Sequence, residues 1–402
     1  MMNPRVLIIR DKERIREELK RIGVSKEGRQ ILLSKSSFYL INLEGISSQA
    51  ANLLKQEMLA TGGDVAIEKE VVSFRSKRSD ALLMGTEAQY EKIIPRLRRQ
   101  PFGLATIASQ IKQTLDNFKR ENFVISLGNK RLNLSERIAV MGILNVTPDS
   151  FYDGGRYLRQ DKALRRIEEM VEEGADIIDI GGESTRPGAE RVNPDEERRR
   201  VIPIIDKIRR HFDIPISIDT YKAQIAREAI EAGADMVNDI SGLRFDLELK
   251  KVIASFDVPV VIMHIKGTPK DMQDNPQYKC LMGEIISYIR ESIKIAEEAG
   301  VDPDKIIIDP GIGFGKTTTH NLEIISRLGE LKSLGKPILI GVSRKSFIGN
   351  ILKLPSSERL EGSLAMASLS VFQGAHMVRT HDVKQTRRAV DMVKAVMQQQ
   401  GG

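Results

Sequence analysis

Met141-Gly-Ile-Leu-Asn-Val-Thr-Pro-Asp-Ser-Phe151 decides how this chain is read. An apolar run, Ile138 to Leu144, has the content of a buried strand and stops at an amide, a hydroxyl, a proline and an acid. A core strand has no use for Asn145, Thr147 and Asp149 at its exit, whereas a ligand site does. Gly154 and Gly155 then place the polar run on a loop. Seven more apolar runs repeat the plan, at 176–180, 215–218, 235–238, 258–263, 305–308, 336–341 and 375–379, and helical stretches separate them. Eight strand–helix units in about 260 residues predict a (β/α)8 barrel, with an open doubly wound sheet as the alternative. Gly-Ala-Asp at 174–176 and 233–235 marks helix-to-strand turns, where glycine ends a helix in the left-handed region.

In a barrel the chemistry collects at the carboxyl ends of the strands. In chain order these exits hold Asn145; Asp179 with Glu183-Ser-Thr-Arg-Pro-Gly188; Asp219-Thr220; Asn238-Asp239; Met263-His264; Asp309 with Pro310-Gly-Ile-Gly-Phe-Gly-Lys316; Ser343-Arg-Lys-Ser346; and Arg379 with His381. Two chemical sets separate. Asp219, Asn238 and Asp309, with Lys345, offer the donor and acceptor edge that holds a flat heterocycle, and one carboxylate pairs well with two adjacent N–H donors. Asn145, Thr185, Arg186, Arg379 and His381 are small donors and cations that suit a phosphate or diphosphate. Asn145 also offers one oxygen to Mg²⁺, an ion that keeps substrate phosphates and waters as its other ligands. Each residue alone has a plainer reading: Asp219 as partner of a buried lysine, Arg379 as an ion pair, His381 as a helix-start residue, His264 as a satisfied structural histidine. Gly315-Lys316-Thr317 copies the tail of a phosphate loop, but Pro310 stands in place of its first glycine and removes that motif.

The chain has 402 residues, 41% of them apolar, which predicts two or three domains and permits a large core. Its basic surplus is local: residues 1–120 hold 22 Lys and Arg against 14 Asp and Glu, and the rest hold 40 against 41. Lys77-Arg78 and Arg96, Arg98 and Arg99 lack interleaved aromatics, so they read as a solvated face and no nucleic-acid partner is expected. Residues 1–120 predict a small α+β domain, with 121–402 as the barrel domain. The expected elements are a strand at Val6–Arg10, a helix at Lys12–Arg21, a strand pair at Ile31–Leu33 and Phe38–Leu43, and a helix at Ser47–Leu59 capped by Ser47 or Ser48. Two short strands and helices near 87–99 and 106–119 follow, then a hairpin over Phe123–Leu134 turning at Gly128-Asn129. Nothing in 1–120 groups acids, histidines or glycines as a catalytic set. Cys280 is the sole cysteine, which excludes an internal disulfide and a cysteine-rich zinc site. No apolar run is long enough to cross a bilayer and Met1–Arg10 has no signal-peptide pattern, so a cytoplasmic location without a membrane partner is expected.

From about residue 121 to 402 the sequence resembles the dihydropteroate synthase family of pterin-binding barrels. The resemblance is carried by Met141–Phe151, Gly181-Gly-Glu-Ser-Thr-Arg-Pro-Gly-Ala189, Ser217-Ile-Asp-Thr220, Val237-Asn-Asp-Ile240, Asp309–Lys316, Gly341-Val-Ser-Arg-Lys-Ser346 and Arg379-Thr-His-Asp382. It implies a transferase of folate biosynthesis. Such an enzyme joins 6-hydroxymethyl-7,8-dihydropterin diphosphate to p-aminobenzoate and releases diphosphate, with Mg²⁺, as a homodimer and a sulfonamide target. The resemblance assigns the pterin ring to Asp219, Asn238, Asp309 and Lys345, with Asp179 and Met263 nearby. Diphosphate and Mg²⁺ go to Asn145, Arg379 and His381, and the arene pocket is bordered by Thr185, Pro187, Phe314 and Ser346. The implied catalytic set is Asp219, Asp309, Lys345, Arg379 and His381, with Arg186 among the substrate-binding residues. Ile312 and Ile265-Lys266 depart from the family pattern, which bears on the arene pocket and on loop charge. Two alternatives stay open: the same chemistry on a ribosylated aminobenzene phosphate in methanopterin synthesis, and a folate-dependent corrinoid methyltransferase.

Overall fold

The computed structural model describes residues 3–9, 11–72, 75–146, 156–185 and 188–401. The chain divides into two compact units, Met1–Asn117 with Val396–Gly402, and Phe118–Ala395.

In the first unit, α1 (Lys12–Ile22) starts where the Asp11 side chain accepts the Glu13 N–H and stops at Gly23, in the left-handed region. Helix α2 (Lys26–Ser36) is capped by Ser25. Strand β1 (Phe38–Ser47), α3 (Ser48–Ala60), β2 (Asp64–Ile67), α4 (Lys69–Val72), β3 (Arg78–Thr86), α5 (Glu87–Leu97) and α6 (Leu104–Phe118) follow. The strands form an antiparallel sheet in the order β1-β3-β2. Its core gathers Leu54, Met58, Leu83, Tyr90, Ile93, Leu97 and Leu104.

Three local readings change here. Ile31–Leu33 is not a strand but part of α2, because a three-residue apolar run is ambiguous and the Ser25 cap decides it. Val6–Ile9 takes no place in the sheet, and a strand needs a neighbour to take its N–H and C=O groups. Strand β1 runs past Leu43 through a bulge at Glu44-Gly45, where Gly45 has φ +62 and its N–H meets Asp80 Oδ1 at 2.8 Å.

The second unit opens with a hairpin, β4 (Val124–Leu127) and β5 (Lys130–Asn133), turning at Gly128 and Asn129. The barrel strands are β6 (Ala139–Asn145), β7 (Ile177–Gly181), β8 (Ile216–Asp219), β9 (Met236–Asp239), β10 (Val260–Met263), β11 (Ile306–Asp309), β12 (Leu339–Ile340) and β13 (Met377–Thr380). All pair in parallel, in the order β11-β10-β9-β8-β7-β6-β13-β12, and a bridge between Ile308 and Ile338 closes the ring. Strand β12 is shorter than its apolar run because Pro337 has no N–H to give a ladder. The crossover helices are α7 (Arg156–Glu172), α8 (Pro194–His211), α9 (Ala223–Glu231), α10 (Leu249–Phe256), α11 (Leu281–Glu298), α12 (Thr318–Ser326), α13 (Ser346–Leu352) with α14 (Leu360–Phe372), and α15 (Val383–Gly401).

The hairpin seals the amino end of the barrel. Phe123, Ile125, Leu127 and Leu134 pack with Met141, Ile177, Met236, Val261, Ile307, Leu339 and Met377, which come from seven of the eight strands. The Gly-Ala-Asp turns do more at this end than break helices. Gly174 and Gly233 have φ +93 and +111. The following acids then reach sideways: Asp176 Oδ2 accepts the Val140 N–H at 2.8 Å, and Asp235 Oδ2 accepts the Ile216 N–H at 2.7 Å. Arg387 and Arg209 pair with these carboxylates at 3.2 and 2.5 Å. Each acid thus satisfies a strand-start donor that the ladder leaves over. Asp176→Ala is expected to lower stability by about 1–3 kcal/mol in urea unfolding, because it leaves the Val140 N–H without its acceptor, while Arg387 keeps Asp391 and the Ile138 carbonyl. Turnover should hold, since the change lies at the sealed end.

Candidate active site

The inward-facing row of the barrel changes character within one step of the pleat. Ile177, Met236, Val261, Ile307 and Met377 belong to the apolar layer over the hairpin. Two residues further along each strand, on the same face, stand Asp179, Asn238, Met263, Asp309 and Arg379. Strand β8 adds Asp219 and β6 ends at Asn145.

Arg379 holds the centre. Its Nε donates to Asp179 Oδ2 and its Nη2 to Asp219 Oδ2, both at 2.6 Å. Asn238 Nδ2 donates to the same Asp179 oxygen at 3.1 Å. Asp179 is fully buried, and its Oδ1 has no hydrogen-bond partner among the described residues. Two carboxylates at this depth are tolerable because one planar guanidinium spans both. Burial works against the charge on Arg379, yet Asp179 and Asp219 hold it protonated, above its ordinary range. Burial pushes the Asp219 carboxyl up to about 7 against the pull of Arg379. The two sets read from the sequence are therefore interlocked: a cation of the phosphate set is bonded to Asp219 of the heterocycle set and to Asp179 beside it.

Asp309 lies on the neighbouring arc. Burial raises it to about 6, opposed by the Gly311 N–H, which donates to Oδ1 at 2.6 Å, and by Lys345. Lys345 is lowered to about 8 by burial and by Arg379, and its ammonium sits 4.4 Å from the centre of the Phe314 ring. His381 joins through Ser343, whose Oγ accepts the His381 backbone N–H at 3.2 Å and lies 3.0 Å from Nδ1. Burial and the Arg379 charge lower this imidazole to about 4, so it is neutral at pH 7. In the tautomer where the Ser343 hydroxyl donates to Nδ1, Nε2 carries the proton and is free to donate.

The glycine-rich run after β11 is a braced cradle rather than a phosphate loop. A Cβ on Gly311 would lie 1.9 Å from the His264 carbonyl oxygen, so two backbones pass where only glycine fits. Lys316, buried, donates to His264 Nδ1 at 2.9 Å and to the Phe314 carbonyl at 3.0 Å. Burial takes His264 down to about 2, which keeps it a neutral acceptor. Gln273 Nε2 donates to the Gly313 carbonyl at 2.6 Å and Tyr278 Oη to that of Gly315 at 2.8 Å. Phe314 and Met263 share a cluster with Tyr221, Ile240, Ile265 and Met272. Ile312 is buried, and Lys266 lies over the Tyr278 ring at 4.1 Å with its charge turned to Glu284 at 3.4 Å.

The remaining candidates separate more. Ser346 is exposed at the start of α13. Thr185 is half-buried two residues beyond Glu183, which accepts from Tyr221 Oη at 2.9 Å, Lys222 Nζ at 2.5 Å and the Val192 N–H at 3.1 Å. Arg186, Pro187, Thr147, Asp149 and Gly154-Gly155 lie outside the described residues. Asp239 is spent locally, accepting the Ser241 and Leu243 N–H groups at 2.8 and 2.5 Å. Sequence reasoning placed Ser343 at a strand exit without giving it a role, and missed Gln273, Tyr278 and the bracing role of Lys316. Only Ser343 carried a signal, its place beside Lys345.

Asn145 bears on the Mg²⁺ expectation. A Cβ on Gly181 would lie 3.7 Å from Asp219 Oδ2 and 3.8 Å from Asn145 Oδ1, so the glycine leaves space between these two oxygens. Among the described residues no group of three or more acids, histidines or cysteines could hold a metal ion. This donor set fits an ion held by one or two side-chain oxygens and completed by substrate phosphates and water.

Arg379→Met is expected to lower stability by about 3–5 kcal/mol at pH 8, because it leaves Asp179 and Asp219 unopposed. Without the cation the folded-state carboxyl pKa rises further above the unfolded value of about 3.9. Stability then falls as pH rises from about 4 through about 7, so the loss should shrink at pH 5. Urea unfolding at the two pH values reads this. Equal losses would remove the charge argument.

Comparison with known proteins agrees with this geometry. The family model described as pterin binding enzyme matches residues 141–381. Dihydropteroate synthase of Clostridium beijerinckii is 49% identical over 274 residues, covering 68% of this chain and 99% of the relative. A Halobacterium salinarum protein described as a probable bifunctional folylpolyglutamate synthase/dihydropteroate synthase is 38% identical over 390 residues, 94% of this chain and 45% of the relative. That span takes in most of residues 1–117 as well as the barrel. A solved structure of dihydropteroate synthase from Clostridium difficile, in the presence of pteroic acid, aligns with a TM-score of 0.62 at 49% identity, covering 65% of this chain and 97% of that one. With its closed ring of eight parallel strands and this match across the whole barrel, the chain belongs to the dihydropteroate synthase family of pterin-binding enzymes.

Proposed function

We infer that this chain carries out the dihydropteroate synthase reaction. The arylamine nitrogen of p-aminobenzoate forms a C–N bond to the pterin methylene, the C–O bond to diphosphate breaks, and the amine loses a proton. The observation that carries the reading is the single rim on which Arg379 meets Asp179 and Asp219, with Asp309, Lys345 and His381 around it. Family membership replaces the methyltransferase alternative. Pteroic acid, seen with the Clostridium difficile relative, has p-aminobenzoate as its arene half, which supports that arene over a ribosylated phosphate.

In this reading Asp309 accepts ring N–H groups of the pterin and Asn238 completes the edge. Lys345, over the Phe314 ring, separates pterin from arene. An arylamine is a weak nucleophile and diphosphate carries high charge, so the leaving group departs early. Arg379 and the Nε2–H of His381 then meet the growing charge on its oxygens. Asp219 and Asp309 stabilise the electron-poor pterin left behind, and no strong general base is required. Asn145 would hold Mg²⁺, which when bound supplies charge neutralisation on the diphosphate. The family reading also carries a homodimer, which light scattering measures directly.

The decisive assay supplies the pterin diphosphate with each arene and follows diphosphate and dihydropteroate, with and without Mg²⁺. Product from p-aminobenzoate is expected, and turnover restricted to the ribosylated arene would overturn the choice. Asp219→Asn keeps an acceptor for Arg379 but removes the charge, so kcat should fall at least about 100-fold with little change in Tm. Pterin affinity should weaken as pH drops through about 6, where Asp309 takes up a proton and stops accepting. Titration of the pterin by fluorescence from pH 5 to 8 reads this, and Asp309→Asn should flatten the profile.

A further inference from the structure

Two motif residues have no part in that reading: Arg344, between Ser343 and Lys345, and Asp382, after His381. Arg344 is held at φ +53, a left-handed conformation that a side chain with a Cβ adopts only when its surroundings impose it. The surroundings do. Its N–H donates to Ser363 Oγ at 2.8 Å and its carbonyl accepts from Arg359 Nη1 at 3.1 Å. Its guanidinium makes two parallel bonds to Asp382, Nε to Oδ2 at 3.0 Å and Nη2 to Oδ1 at 2.7 Å. Asp382 is itself fixed, since its N–H donates to Thr380 Oγ1 at 3.1 Å and that hydroxyl meets Thr386 Oγ1 at 2.9 Å.

The need for such a link is visible in the sheet. Strands β12 and β13 pair only at Leu339–Met377 and Ile340–Val378. Beyond that point no ladder fixes Lys345 against His381, and side chains take over: Ser343 to His381, and Arg344 to Asp382. An ion pair with side chains 31% and 14% exposed contributes little to folding, whereas its two-bond geometry is specific about position.

We propose that the Arg344–Asp382 pair is a positioning device that fixes Lys345, on the pterin side, relative to Arg379 and His381, on the diphosphate side, and so governs turnover rather than substrate affinity. The inference rests on the reaction proposed above. Wild-type enzyme is therefore assayed first: absence of product would refute that reaction, and the variants below address the pair alone.

Arg344→Gly accepts φ +53 without strain but removes the guanidinium, Asp382→Asn removes the charge, and the double variant removes both. Each single change should lower kcat by about 10- to 100-fold, the scale of a misplaced reacting group. The pterin Kd should stay within about twofold of wild type, because Asp309 and Asn238, which hold the ring edge in that reading, are fixed by their own strands and not by the pair. The double variant should be no slower than the slower single, and Arg344→Gly should keep a wild-type Tm within a few degrees. Asp382→Asn gives the same reading if the glycine variant folds poorly. Wild-type kcat in either single variant, losses that multiply in the double, or pterin affinity falling in step with kcat would overturn the proposal.

Discussion

One guanidinium between two buried carboxylates is the constraint from which the rest of this rim follows. Arg379 reaches Asp179, 200 positions earlier in the chain, and Asp219, 160 positions earlier. Without it the mouth of the barrel would collect negative charge that burial cannot support. With it in place, burial raises Asp219 and Asp309 and lowers Lys345, so each of these three groups is held near the balance between charged and neutral forms. Groups so placed interact strongly with a ligand that brings its own charge or donors. The same crowding would be a liability in a fold that had to be merely stable.

The barrel divides its labour along its axis. At the amino end, hairpin side chains and strand side chains make a dry layer, and Asp176 and Asp235 satisfy the leftover strand donors. At the carboxyl end, the same inward face turns polar. Because side chains alternate with a period of two, one step of pleat is enough to pass from core to chemistry. Rigidity for this part of the rim comes from this short distance: Asp179, Asn238, Asp309 and Arg379 stand on strands whose preceding inward residue is already locked in the core.

Much of this was legible in the sequence. The eight apolar runs locate the eight strands to within one to three residues, since buried parallel strands are near-continuous apolar stretches cut by glycine and polar exits. The exits also named the residues of the rim, because position at a strand end is a one-dimensional property. Pairing across the barrel is not. No spacing rule says that Arg379 answers Asp179 and Asp219, that Lys316 is buried against His264, or that Gln273 braces Gly313. These depend on which loops the closed ring brings face to face. Ile31–Leu33 and Val6–Ile9 failed for a related reason: short apolar runs carry strand content, but only a neighbouring strand makes them strands.

The hairpin over residues 124–133 has a consequence for traffic. A vessel with a sealed floor fills and empties through one opening. In the proposed reaction, the partner that settles deepest would arrive before the one stacked above it and leave only after that upper guest has gone or become part of it. Joining the two guests covalently then turns an obstruction into a handle, because the united molecule departs through the mouth as one.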